Sequence, residues 1–163
     1  MTTLTKIRLY ITLFIIGLVL SGLTAFPLLH ELNILCQLMG VANAQFSSGY
    51  TGLQWWLLHV REGLQSTYAS YPFIAYGTDW LAFGHLVIAI FFIGPLIDPV
   101  KNIWVLYAGL IACVAVIPLA MICGPIRQIP FYWRLIDSSF GIFGFAILWL
   151  ALGLTRKLDH SPA

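Results

Sequence analysis

The stretch at residues 100–123, VKNIWVLYAGLIACVAVIPLAMIC, decides how this sequence is read. Between Lys101 and Arg127 there is no Asp, Glu, Lys or Arg. At about 1.5 Å of helical rise per residue, such a run is long enough to cross a hydrocarbon core of about 30 Å. Three further runs of the same kind lie at residues 9–29, 78–97 and 135–154. The whole chain of 163 residues is 60% hydrophobic and 9% charged, with a mean hydropathy of +0.92. Soluble domains carry about 25% charged residues, so this composition points away from a water-soluble fold. The expected fold class is an all-α integral membrane protein: one membrane domain built as a four-helix transmembrane bundle, with one or two interfacial helices in the segment at residues 30–77.

The ends of these runs have local causes. Asp98-Pro99 offers a capping acceptor followed by proline at a first helical position, so the second and third spans should form an antiparallel hairpin. Gly124-Pro125 should end the third span, and Pro118 inside it removes one backbone hydrogen bond and should kink it. Lys6 and Arg8 ahead of an apolar run, with Ala42-Asn43-Ala44 downstream, imitate a secretory signal. The apolar core is too long for that and the small-residue site too distant, so the run reads as a retained span.

Orientation follows from the basic residues. With the N-terminus inside, Lys6, Arg8, Lys101, Arg156 and Lys157 are cytoplasmic and Arg61, Arg127 and Arg134 are outside, five against three, although the outer segments are far longer. Both termini are therefore expected on the cytoplasmic side and the loop at residues 30–77 on the other. Trp55, Trp56, Tyr68, Tyr71, Tyr76, Trp80, Tyr132 and Trp133 would then gather near one interface as an aromatic belt. His30, His59, His85, Glu31, Glu62, Asp79 and Asp137 fall on that same outer side or in the outer leaflet. The inner side offers the Asp98 to Asn102 turn and the tail His160-Ser161-Pro162-Ala163, which reads as solvated.

Within the outer loop, Leu53, Trp56, Leu57, Val60 and Leu64 recur at helical spacing, with Trp55, His59, Glu62 and Ser66 opposite, so an interfacial helix is expected there and a second over residues 31–44. His59 and Glu62 either wet a polar face or point into a cleft over the bundle. His85 lies about 10 Å below the outer boundary, where an imidazole needs a partner: either a pocket, or a carbonyl such as the one Pro118 frees. Ala82 and Ala89 on its face would admit a close neighbour. On the fourth span Asp137, Gly141 and Gly144 share a face, placing a carboxylate above a groove without side chains. Arg134, one turn earlier, either pairs with Asp137 or borders a pocket with it. The net charge of +2 is not clustered and excludes a nucleic-acid footprint. The three cysteines give no zinc pattern, although Cys36 and Cys123 fall on the same expected side and are candidates to pair.

The order of these features resembles the EXPERA group of four-span membrane proteins, which includes the emopamil-binding sterol isomerases and the sigma-2 receptor. Phe26-Pro27-Leu28-Leu29-His30-Glu31-Leu32 is similar to the acid-bearing end of that group's first span. Trp55-Trp56-Leu57-Leu58-His59-Val60-Arg61-Glu62 is similar to its paired aromatics followed by an acid, and Phe83-Gly84-His85-Leu86-Val87 to the place of an acid in its second span. His85 departs from the pattern in standing where the group has an acid, and the fourth span matches only in being a span. The resemblance implies an amphiphile pocket with Glu31, Glu62 and His85 among its polar groups, and in the isomerase branch general acid and base chemistry. The expected partner is a membrane lipid or a lipid-like or sterol-like molecule in an outer-leaflet pocket drawn from His85, Glu62, Asp137, His59, Glu31, Trp55, Asp79 and Arg134. Two rivals stand beside it. One is a haem-binding or transition-metal subunit using His30, His59 and His85. The other is a structural subunit meeting a membrane-protein partner or a second copy through Gly17, Ser21, Gly141 and Gly144.

Overall fold

The computed structural model describes residues 2–45 and 49–159, and these contain helices and turns but no strand. The elements are α1 (Thr3–Ala25), α2 (Leu28–Leu38), α3 (Gly52–Ser70), a 3-10 turn (Pro72–Ile74), α4 (Ala75–Phe91), α5 (Ile93–Ile97), α6 (Ile103–Ile126) and α7 (Phe131–Asp159). The tail from His160 lies outside the described residues. Four segments are long and apolar enough to cross a membrane: Thr3–Ala25, Pro72–Ile97, Ile103–Ile126 and Phe131–Asp159. At most 33% of any of their apolar windows is buried by protein, and Phe140, Phe143 and Ile126 are 68%, 69% and 71% exposed. Such continuous apolar exposure is foreign to a soluble monomer and suits a chain solvated by lipid.

The boundaries differ from those read off hydropathy, because backbone hydrogen bonding and apolarity do not stop together. The first span ends at Ala25, not residue 29: Pro27 has no N–H to donate and disfavours helix in Phe26, so Leu28 and Leu29 open α2. In the second, Pro95 cannot bond the carbonyl of Phe91 and crowds it, which is where α4 stops and α5 restarts. The third does not end at Gly124-Pro125; α6 runs through both and closes at Arg127. Gln128 takes the left-handed conformation (φ 58°), the Ile129 N–H reaches the Gly124 carbonyl at 2.9 Å and the Gln128 N–H the Pro125 carbonyl at 3.0 Å. This is the two-bond helix stop usually given to glycine, here made by glutamine. The fourth extends to 29 residues, carrying Arg134 and Asp137 in its opening turns and Arg156 and Lys157 in its last.

The chain divides into two compact units, Met1–Leu18 with Val87–Ala163, and Val19–Leu86. In the first, α6 and α7 pack along their length over Ile7, Ile11, Phe92, Leu106, Leu110, Cys113, Leu148, Ala151 and Leu152. Small residues make this approach possible: a Cβ on Gly141 would strike the carbonyl of Cys113 and the Val116 side chain, and one on Gly109 would sit 2.6 Å from Phe92 and 2.7 Å from Leu148. Where no water drives apolar surfaces together, such close van der Waals contact is the main source of helix association. Gly141 and Gly144 are therefore spent inside the chain, and the groove expected below Asp137 is filled by Cys113 and Val116 of α6. Gly17 has open space where a side chain would stand.

In the second unit α3 packs on α2, burying Trp56, Leu57 and Leu58 with Leu32 and Cys36. Trp56 and Leu57 are on the apolar stripe read from the sequence, Leu58 is off it, and Leu53 stays 38% exposed. Trp56 is thus a core residue of this unit. Gly40 (φ 72°) closes α2, and the loop beyond it is tied back by α3: Gln54 donates to the Met39 carbonyl at 3.1 Å, and Arg61 to the carbonyls of Ala42 (2.8 Å) and Ala44. All three cysteines are free thiols.

Candidate functional site

The chain reverses between α5 and α6 over residues 98–102, and there each polar side chain has a partner. Asp98 Oδ1 accepts from the Lys101 N–H at 3.0 Å, while its Oδ2 lies 3.5 Å from Lys101 Nζ. The backbone bond, more than the ammonium, holds the Asp98 carboxyl below the ordinary carboxylate range. Pro99 sits in this turn and not at the first position of α6, which begins at Ile103. Asn102 Nδ2 donates to the carbonyls of Gly94 (3.1 Å) and Asp98 (2.9 Å). Arg8 donates to the carbonyls of Leu96 (3.1 Å) and Ile97 (3.2 Å), which close α5. These donors satisfy end carbonyls that would otherwise be orphaned near apolar surroundings.

The opposite end of α6 is different. A cavity of about 280 Å³ is lined by Val116, Leu119, Ala120, Cys123, Gly124, Arg127, Ile129, Arg134 and Asp137. Gly124 is what admits Arg134: a Cβ there would overlap Cδ of that side chain and stand 2.7 Å from its Cγ. The guanidinium lies over the Phe131 ring, 5.1 Å from Cζ to centroid, which fixes its plane. Arg134 Nε is buried and has no hydrogen-bond partner. The ion pair weighed between Arg134 and Asp137 is not formed: the one among the described residues joins Lys101 to Asp98. Two arginines and one aspartate thus meet a wall of aliphatic side chains without neutralising one another.

A second, open cleft of about 320 Å³ in the Val19–Leu86 unit is lined by Phe26, Tyr76, Asp79, Trp80 and Phe83. Its rings form an edge-to-face series, with Tyr76 to Trp80 and Trp80 to Phe83 each at 5.9 Å. Asp79 therefore stands beside aromatic surface.

The other residues singled out in the sequence line neither cavity. His85 is half-buried on α4 with Nδ1 2.8 Å from the Leu81 carbonyl of its own helix. The close neighbour that Ala82 admits is α1, since a Cβ on Gly22 would lie 2.9 Å from the Ala82 carbonyl and 3.2 Å from His85 Cβ. His59 is exposed and stacked on Trp55, ring centroids 5.2 Å apart and 8° from parallel. Glu62 is exposed further along α3, His30 is exposed on α2, and Glu31 sits in the first turn of α2, where a carboxylate suits the helix dipole. Among the described residues no three His, Cys, Asp or Glu side chains converge as a metal-holding group. Arg127 and Gly124 were missed as site residues, the first counted only toward orientation and the second read only as a helix stop. Their signal was the spacing of Arg127, Arg134 and Asp137 around the Ile129-Pro130 turn.

No protein-family model matches the chain, and no curated protein or solved structure matches it. Its class therefore rests on the helices.

Proposed function

We propose that this chain is a multi-pass integral membrane protein that binds a lipid-like amphiphile in the cavity at the α6–α7 turn. The observation that carries the reading is a cavity with an aliphatic wall that gathers Arg127, Arg134 and Asp137 with no ion pair among them. Apolar walls with a few convergent polar groups are how small-molecule sites are commonly built. Five of eight basic residues on one set of connections support cytoplasmic termini, which puts this cavity in the outer leaflet and α2 and α3 along the outer interface. The similarity in feature order to the EXPERA group supports an amphiphile as ligand, with the polar groups supplied by α6 and α7 in place of Glu31, Glu62 and His85.

Purification in mild detergent, with mass spectrometry of co-purifying lipids alongside an optical spectrum and metal analysis, tests this. A reproducible, stoichiometric lipid is expected, and Ala120→Trp, which fills the cavity, should displace it. A Soret band or stoichiometric metal without lipid would replace this reading with a redox subunit.

A further inference from the structure

Granting that the α6–α7 cavity holds an amphiphile, we infer that it selects the phosphodiester head of a membrane phospholipid whose head group also carries a hydrogen-bond donor. The phosphate oxygens lie against the Arg127 and Arg134 guanidiniums, and the donor bonds the Asp137 carboxylate.

Charge is the first argument. The lining holds two guanidiniums and one carboxylate, a net of +1, with no ion pair between Arg134 and Asp137. Arginine stays protonated in proteins, so its charge in low dielectric must be met from outside the side chains present. A ligand of charge −1 that also donates a hydrogen bond matches both signs. A sterol hydroxyl brings no charge to the arginines. A fatty acid brings the charge but no donor, and sets its carboxylate against Asp137.

Geometry is the second. Planar guanidiniums recognise pairs of oxygens, and the two non-ester oxygens of a phosphodiester, each with more than one lone pair, can be shared between the two arginines. The Phe131 ring beneath Arg134 and the bare Gly124 behind it hold that fork in place. Size is the third. About 280 Å³ is just below the range of about 300–1,000 Å³ for small-molecule sites, room for a head group and glycerol but not for acyl chains. A path for those chains exists on α6, where Leu119, Ile122 and Ile126 form an apolar stripe at helical spacing, 58%, 63% and 71% exposed.

The experiment uses the full chain, delipidated in detergent and titrated with defined additives, reading bound stoichiometry by native mass spectrometry and the thermal unfolding midpoint. Phosphatidylglycerol, anionic with hydroxyl donors, should bind most tightly and raise the midpoint most, and phosphatidylethanolamine, zwitterionic with an ammonium donor, should follow. Phosphatidylcholine, with phosphate but no donor, should bind less well, and diacylglycerol least. Arg134→Gln and the exposed Arg127→Gln should each weaken phosphatidylglycerol binding about tenfold or more. Asp137→Ala should erase the preference for phosphatidylethanolamine over phosphatidylcholine, two zwitterionic lipids that differ in the donor. Diacylglycerol binding as well as phosphatidylglycerol would overturn phosphate recognition while leaving the amphiphile site standing. Inorganic phosphate alone giving the full shift would overturn the lipid as ligand. If no lipid bound the wild-type chain, the proposed function itself would fall.

Discussion

At residues 98–102 the polar side chains are consumed by the fold, whereas at residues 124–137 the charged ones are left over. Both turns reverse the chain at an end of α6, and both are rich in Pro, Asp and basic residues. In the first, Asn102, Asp98, Lys101 and Arg8 meet carbonyls, an N–H and one another. In the second, the helix stop is made by backbone bonds alone, through Gln128 and Ile129, so Arg127, Arg134 and Asp137 are not needed to close it. Polar residues beside a membrane core are costly, and those that do not stabilise a turn point to another use.

Asn102→Ala should break this contrast most visibly. Losing both hydrogen bonds leaves the Gly94 and Asp98 carbonyls short of a donor and should lower unfolding stability in detergent by about 2 kcal/mol, without changing lipid occupancy. A denaturation series that showed no loss would mean that the closed turn is not held by its side chains. At the other end, Arg134→Met keeps the stem that lies on Gly124 and removes a guanidinium with an unsatisfied Nε. Lipid-free protein should be unchanged or more stable by up to about 1 kcal/mol, since an unpartnered buried donor is a penalty. A clear loss of stability in the lipid-free variant would make Arg134 structural. The smallest effect concerns pH. Because the folded Asp98 carboxyl titrates below its ordinary 3.8, its contribution is complete above that value and is lost as pH falls through the lower folded value. Acid unfolding curves of the wild type and Asp98→Asn should converge below that point and separate above it.

How much was legible beforehand differs between these regions for a physical reason. Span number and helical class were open to reading, because about 20 apolar residues have few alternatives in a bilayer. The amphipathic face of α3 was partly open: Trp56 and Leu57 were placed by periodicity, but the burial of Leu58 depends on where α2 lies. Asp137 and Arg134 were singled out by depth and spacing, yet whether they pair depends on rotamers that Gly124 and Phe131 decide from other positions. His85 drew attention because it is rare in a span, and its local bond to the Leu81 carbonyl could not be told from a ligand role by composition.

By itself, then, the sequence determined four apolar segments long enough to cross a membrane and their helical nature, since these follow from hydrophobicity and backbone hydrogen bonding along the chain. Tertiary structure alone decided which of the polar groups are spoken for. Partnership between side chains is set by distances across helices, and the bare Cα surfaces of Gly124, Gly141 and Gly144 fix those distances in the α6–α7 pair.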